Sequence, residues 1–228
     1  MWPGEWLSRM PTSRNKTYEM EYVMQLYFSP GACSLASHIT AREAGLSLDL
    51  KRADTKTKKL EDGSDFYAIN SKGAVPALKL DNGQVLTEGV AIMQYLADQK
   101  PESGLAPKNG TIERYRVQEW LNYVTSEVHK GFSPLWNPAA DPAVKTWALD
   151  NLKKKFDWLN KQLAGKKYLT GDAFTVADAY LFTVMNWTRP LNIDLSAWPA
   201  IQEFQARVFA RPKVQEAMEA EGLTKKAA

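Results

Sequence analysis

Cys33 carries the most reactive type of side chain in this sequence. It is the only cysteine among 228 residues, so no disulfide can form within the chain. It follows a short apolar run (25–28) and a Ser-Pro-Gly turn, and it opens a segment with a helical pattern. Unpaired N–H groups and the helix dipole favour an anion at such a position, which predicts a lowered thiol pKa and a reactive sulfur. A buried, inert cysteine is the alternative that the residues leave open.

Two further motifs could hold a polar ligand. Val75-Pro76 precedes a strand, and a cis bond there would expose the backbone N–H and C=O of Val75. Glu88-Gly89 joins a strand to a helix, where Glu88 could bind an ammonium group and the helix N-terminus a carboxylate. Ordinary helix capping and first-turn charge would explain the second motif as well.

A third set of polar residues lies on one predicted helix. Asn122, Ser126 and His129 are separated by four and three residues, so they share a helical face. The rest of this segment is rich in apolar residues, so the polar face indicates a site. Lys130 follows directly, although a cation in a last helical turn could simply complement the helix dipole.

The elements that position these residues change character halfway along the chain. Residues 24–100 show the order strand, helix, strand, short helix, two strands joined by an Asn-Gly hairpin turn, and helix. After a linker over 101–110 no strand pattern returns, and helices are predicted over 111–130, 142–163, 175–188, 199–210 and 212–221. We therefore expect an α/β domain over 24–104 and an all-helical domain over 111–228. Thr175 and Asp178 predict a capping box at the start of one helix.

Composition excludes several classes of protein. Charged residues make up 24% of the chain and apolar residues 44%, as in globular proteins. No stretch approaches the roughly 18 unbroken apolar residues of a membrane-spanning helix. The net charge is only +3, and the lysine runs fit solvated helix faces, so we expect no nucleic-acid partner. One cysteine and two histidines leave little material for a metal site.

Residues 1–23 differ from the rest of the chain. They contain two prolines and scattered charge, and they lack the run of about 7–15 apolar residues that a secretory signal needs. We interpret them as a flexible extension or as the result of an upstream start site, and we expect a cytoplasmic protein.

Five sequence blocks together resemble a bacterial beta-class glutathione S-transferase. They are SPGACSL (29–35), GAVPAL (73–78), LTEGVAI (86–92), EWLNY through HKGF (119–132) and FTVADAYLF (174–182). The resemblance runs from residue 24 to about residue 223, with the blocks in order and with matching gaps. It implies a thioredoxin-like N-terminal domain, an all-helical C-terminal domain and a homodimer with two sites. Glutathione would be a co-substrate, with no cofactor.

The resemblance also implies roles for single residues. The cysteinyl part of glutathione would pair with the backbone of Val75 beside a cis-proline, and the γ-glutamyl end would meet Glu88 and Gly89. Lys58 matches a basic position at the glycine end. Cys33 matches a cysteine that lies beside the glutathione sulfur and can form a mixed disulfide with it. Further polar positions that line the site, some of them from across the dimer, are Asn122, Ser126, His129 and Lys130.

The reaction implied is attack of the glutathione thiolate on a soft, apolar electrophile. The helix N-terminus with Cys33 and Ser34, together with His129, would stabilise the thiolate. Relatives often carry tyrosine where Phe28 stands, so a phenolic hydroxyl is missing here. Candidate walls for the apolar co-substrate, chosen by their closeness to the matching segments, are Tyr27, Phe132, Trp136 and Trp187.

Two other functions stay open. Cys33 could perform monothiol, glutathione-dependent disulfide exchange, because no second cysteine exists for a two-thiol mechanism. The same fold could also bind hydrophobic ligands without catalysis.

Overall fold

The computed structural model describes residues 23–224, so the extension predicted over 1–23 lies outside this range except for its last residue. The first domain contains β1 (Gln25–Phe28), α1 (Ser34–Glu43), β2 (Asp49–Arg52), β3 (Ala77–Lys79), β4 (Val85–Thr87) and α2 (Gly89–Asp98). The second contains α3 (Ile112–Tyr123), α4 (Lys130–Trp136), α5 (Pro142–Leu163), α6 (Val176–Met185), α7 (Pro199–Phe209) and α8 (Pro212–Ala220). The predicted fold class, α/β followed by all-α, is confirmed.

The sheet has the strand order β2-β1-β3-β4. β1 and β2 are parallel and are connected through α1, whereas β3 is antiparallel to both of its neighbours. Successive side chains of β1 point to opposite faces. Leu26 and Phe28 pack in a cluster with Ile92 of α2, and Tyr27 packs in a separate one with Phe66. The Tyr27 and Phe66 ring centroids are 5.9 Å apart, and Tyr27 is buried.

The helix predicted over 111–130 does not end at Lys130. A π-helical segment over Val124–His129 follows α3 and leads directly into α4, so the interpretation of Lys130 as a last-turn cation is wrong. Gly131 allows α4 to approach α5 closely, because a Cβ there would lie 2.8 Å from Leu152 Cδ2.

The helical domain holds the turn that precedes Cys33. The backbone N–H of Gly31 donates to Glu221 Oε2 at 2.9 Å, and the Trp187 indole donates to the Gly31 carbonyl at 2.8 Å. The second carboxylate oxygen of Glu221 lies 3.0 Å from Nδ1 of the buried His38 on α1. Arg211 adds a bidentate pair with Glu43 at the end of α1, with both N···O distances 2.7 Å.

The predicted capping box is present at the start of α6. One oxygen of the buried Asp178 carboxylate accepts from the Thr175 backbone N–H at 2.8 Å and from the Thr175 hydroxyl at 2.9 Å. The other oxygen accepts from the Leu169 N–H at 2.8 Å. Burial raises the pKa of Asp178 to about 6, although these hydrogen bonds oppose the shift. This carboxylate therefore connects the loop before α6 to the first turn of α6.

Asp178→Ala should lower the free energy of unfolding by about 2–5 kcal/mol, because two buried backbone N–H groups lose their acceptor. Urea unfolding measures the difference. Asp172→Ala is the matched control, since that carboxylate is exposed and its removal should change stability by less than about 0.5 kcal/mol. Equal stabilities of the two variants would contradict the role given to Asp178.

Candidate active site

A cavity of about 550 Å³ opens between the two domains. Three motifs chosen from the sequence line it in the first domain, namely Cys33, Val75-Pro76 and Glu88-Gly89. The helical domain contributes Asn122, His129 and Lys130, as the resemblance implied. Polar lining residues that the sequence analysis did not select are Asn70, Lys72, Gln94, Gln118, Thr125 and Tyr180.

The Cys33 thiol points to the backbone of Val75. It donates to the Val75 carbonyl at 3.2 Å, and the Val75-Pro76 bond is cis, as predicted. Burial raises the pKa of the Cys33 thiol to about 11 and outweighs the backbone N–H groups of Cys33 and Ser34, which lower it. The expectation of a lowered pKa is therefore wrong for the free protein. At neutral pH Cys33 is a protonated hydrogen-bond donor.

His129 is held by two aromatic residues. Its Nδ1 lies 2.6 Å from the Tyr180 hydroxyl on α6, and its ring meets that of Trp187 edge-on at 4.8 Å. Burial, followed by the charge of Lys130, lowers the pKa of His129 to about 4, so the imidazole is neutral at pH 7. Burial also raises the pKa of Tyr180. The tautomer of His129 sets the direction of this bond: with the phenol as the donor, the ring proton lies on Nε2 and His129 offers one N–H donor.

The segment over Val124–His129 presents Thr125, and not Ser126, to the cavity. This segment is π-helical, with more residues per turn than an α-helix. Thr125 lines the cavity between Asn122 and His129. Ser126 is exposed, and its hydroxyl lies 3.5 Å from Glu127 Oε1 instead. Ser126 therefore does not line the cavity together with Asn122 and His129 of the same subunit, and its part in a site stays a prediction.

Charged groups lie at the rim of the cavity. Glu88 immediately precedes α2 with a positive φ of 72°, and its carboxylate forms an ion pair with Lys72. Lys72 Nζ also donates to the Thr87 hydroxyl at 2.8 Å. Lys58 does not line the cavity, because its Nζ donates to the Gly73 carbonyl at 2.7 Å.

Three of the four aromatic candidates form a cluster next to His129. The Trp187 ring meets Phe132 at 5.6 Å and Trp136 at 6.2 Å, both edge-on. Phe132 is fully buried, and Trp136 is half-exposed. None of the three lines the cavity of 550 Å³, so their role as walls for a co-substrate stays a prediction. Tyr27 lies in the core with Phe66, so the prediction of Tyr27 as a wall is wrong.

Residues 23–224 contain no group of three or more His, Cys, Asp or Glu side chains that could hold a metal ion. Within the same range no helix is long and apolar enough to cross a bilayer.

Comparison with known proteins agrees with this geometry. The model of the glutathione S-transferase N-terminal domain matches residues 22–98, and that of the C-terminal domain matches residues 123–212. The chain is 48% identical over 200 residues to glutathione S-transferase GstA of Escherichia coli O157:H7, with 88% of this chain and 100% of the relative covered. The chain belongs to the glutathione S-transferase family.

Solved structures place the transferase in the bacterial beta class. It is 51% identical to BphK, a bacterial transferase solved as a ternary complex, with a TM-score of 0.86 over 87% of this chain and 100% of that one. It is 45% identical to the beta-class transferase of Sphingomonas chungbukensis, with a TM-score of 0.85 over 88% of this chain and 100% of that one. A sphingomonad transferase complexed with glutathione is 44% identical, with a TM-score of 0.85 and the same coverage. The assignment made from five sequence blocks is confirmed.

The single thiol of the transferase gives a direct test of its environment. Because the pKa of Cys33 is about 11, alkylation by iodoacetamide at pH 8 should be about a hundredfold slower than for an unperturbed thiol. The rate should still rise with pH above 9. Mass spectrometry measures the rate, and the same chain unfolded in urea is the control. A rate that levels off below pH 8 would show an ionised Cys33.

Proposed function

We propose that this transferase joins glutathione to soft, apolar electrophiles, with the glutathione sulfur held beside Cys33. The observation that carries the proposal is the Cys33 thiol on the Val75 carbonyl, next to cis-Pro76, inside a cavity lined by both domains. The cysteinyl residue of glutathione would pair with the N–H and C=O of Val75. Its sulfur would then lie next to the Cys33 thiol.

Ligand binding gives the Cys33 proton a new acceptor. When the Val75 carbonyl accepts an N–H group of glutathione, the Cys33 thiol is free to donate to the glutathione sulfur. Because burial raises the pKa of Cys33 to about 11, the proton stays on Cys33 and the negative charge develops on glutathione. A lowering of the glutathione pKa by about two units corresponds to about 2–3 kcal/mol of anion stabilisation.

Other groups around the cavity would also stabilise the glutathione thiolate. The backbone N–H groups of Cys33 and Ser34 at the start of α1 favour an anion. Lys130 brings a positive charge, and neutral His129 brings an N–H donor rather than an ion. His129 therefore assists as a hydrogen-bond donor, and the thiol proton of glutathione leaves to solvent.

The two ends of glutathione have separate partners in this proposal. Glu88 takes the γ-glutamyl ammonium, and the N-terminus of α2 at Gly89 takes the carboxylate. Lys58 reaches the glycine carboxylate only after it leaves the Gly73 carbonyl. A homodimer is the assembly that we propose, and exposed Ser126 contacts glutathione only in the site of the partner subunit.

The rival function of monothiol disulfide exchange needs an ionised Cys33, because the thiolate is the attacking species. A pKa of about 11 opposes that state in the free protein. Conjugation does not need it, since the attacking sulfur belongs to glutathione.

Glu88→Ala should weaken glutathione binding by about 1.5–3 kcal/mol, because it removes a charge-assisted contact. Titration calorimetry measures the affinity. Glu102→Ala, which changes an exposed carboxylate outside the cavity, is the control and should leave the affinity unchanged. Absence of any glutathione binding by the folded wild-type protein would end the proposal.

Cys33→Ala should retain substantial conjugation of a chloronitrobenzene-type substrate, because the helix N-terminus, Lys130 and His129 remain. Cys33→Ser, which keeps a hydroxyl donor, should retain more of this activity. Both variants should lose disulfide exchange, since neither has a protein sulfur. Equal loss of both activities in a variant that still binds glutathione would contradict this division of roles.

A further inference from the structure

In the free protein, the Lys72 ammonium occupies the position beside Glu88 that the proposed function gives to the ammonium group of the ligand. Its ammonium is paired with the Glu88 carboxylate and donates to the Thr87 hydroxyl at 2.8 Å. Both Lys72 and Glu88 line the cavity. A ligand ammonium that binds Glu88 must therefore displace, or share the carboxylate with, a cation that belongs to the protein.

The surrounding backbone fixes the main-chain positions of Lys72 and Glu88. The Lys72 N–H donates to Asn70 Oδ1 at 3.2 Å, and Asn70 Nδ2 donates to the Ala74 carbonyl at 2.7 Å, which ties the lysine loop together. Glu88 is held between β4 and α2, with its positive φ, and its carboxylate is largely exposed. The flexible part of the pair is the four-carbon stem of Lys72, so the lysine is the partner that can move.

We propose that Lys72 is a specificity-determining residue that exchanges partners when glutathione binds. It leaves Glu88 to the α-ammonium of the γ-glutamyl residue and pairs with the α-carboxylate on the same carbon atom. The inference rests on the proposed function, because it assumes that the γ-glutamyl end lies at Glu88.

Charge balance supports the exchange. Lys72 and Glu88 neutralise each other in the free protein, and the γ-glutamyl end of glutathione is itself a zwitterion. Two intramolecular charges and two ligand charges can form two new pairs, and no charge loses its counterion. An ion pair as exposed as this one is weak, so little opposes its opening.

A ligand with only one of the two charges leaves the exchange incomplete. An ammonium alone would take Glu88 and leave Lys72 without a partner. A carboxylate alone would draw Lys72 away and leave Glu88 without one. Lys72 thus selects ligands that end in a free α-amino acid group.

The test compares wild type with Lys72→Met on glutathione and two analogues, by titration calorimetry. One analogue lacks the α-carboxylate (4-aminobutanoyl-Cys-Gly), and the other lacks the α-amino group (glutaryl-Cys-Gly). Lys72→Met should bind the first about two- to fivefold more tightly than wild type, because the competing ammonium is gone. It should bind the second about three- to tenfold more weakly, because a charge-assisted contact is lost.

Two variants serve as controls. Lys72→Arg keeps the charge and should preserve the wild-type order of the three ligands. Lys108→Met removes an exposed lysine outside the cavity and should change none of the affinities. Thermal melting checks that Lys72→Met is folded. We expect this variant to fold, because the Lys72 side chain is half-exposed.

Affinity changes of opposite sign for the two analogues support the exchange. Changes of the same sign, or no change for either analogue, overturn it while leaving glutathione binding at Glu88 intact. Wild-type protein that binds no glutathione overturns the proposed function and this inference together.

Discussion

The position of Cys33 depends on one residue of the turn before it, Gly31, which connects the two domains. The helical domain holds Gly31 from both sides, with Glu221 accepting from its N–H and Trp187 donating to its carbonyl. Gly31 has a φ of 70°, and a Cβ there would lie 3.3 Å from Leu223, so glycine suits this turn. The same Trp187 ring packs on His129. Docking of the two domains therefore positions the cysteine turn and the histidine together, and the cavity exists only in the docked arrangement.

Domain docking also determines the protonation states of the side chains in the site. Burial raises the pKa of Cys33 and lowers that of His129, so both are neutral at pH 7. The ions lie at the rim, where Lys72 and Glu88 pair. A helix N-terminus alone would favour a Cys33 thiolate, but desolvation is the larger effect here. In the free protein the Cys33 sulfur is a hydrogen-bond donor to the Val75 carbonyl, and under the proposed function the negative charge would lie on the glutathione sulfur.

The sequence predicted most of the fold because its signals are local. The helix expected over 142–163 has those bounds as α5, with Pro142 at its first position. The second strand expected in the first domain pairs as β2 over Asp49–Arg52, and its length depends on the neighbouring strand. Spacing alone could not choose between Thr125 and Ser126, because both lie three or four residues from Asn122 and from His129, and only Thr125 lines the cavity. The pKa of Cys33 and the position of Tyr180 next to His129 could not be predicted from local patterns. Both depend on contacts between segments more than forty residues apart in the chain.

The central claim is that a protonated Cys33 stabilises the thiolate of bound glutathione. Thiolate absorbance in the ultraviolet, recorded against pH for the complex of glutathione with wild type and with Cys33→Ala, tests it most directly. The account predicts that wild type lowers the pKa of bound glutathione below its free value, that the lowering is smaller with Cys33→Ala, and that a second thiol titrates far higher only in wild type. A first ionisation that belongs to Cys33, with bound glutathione titrating as it does in solution, would contradict the account.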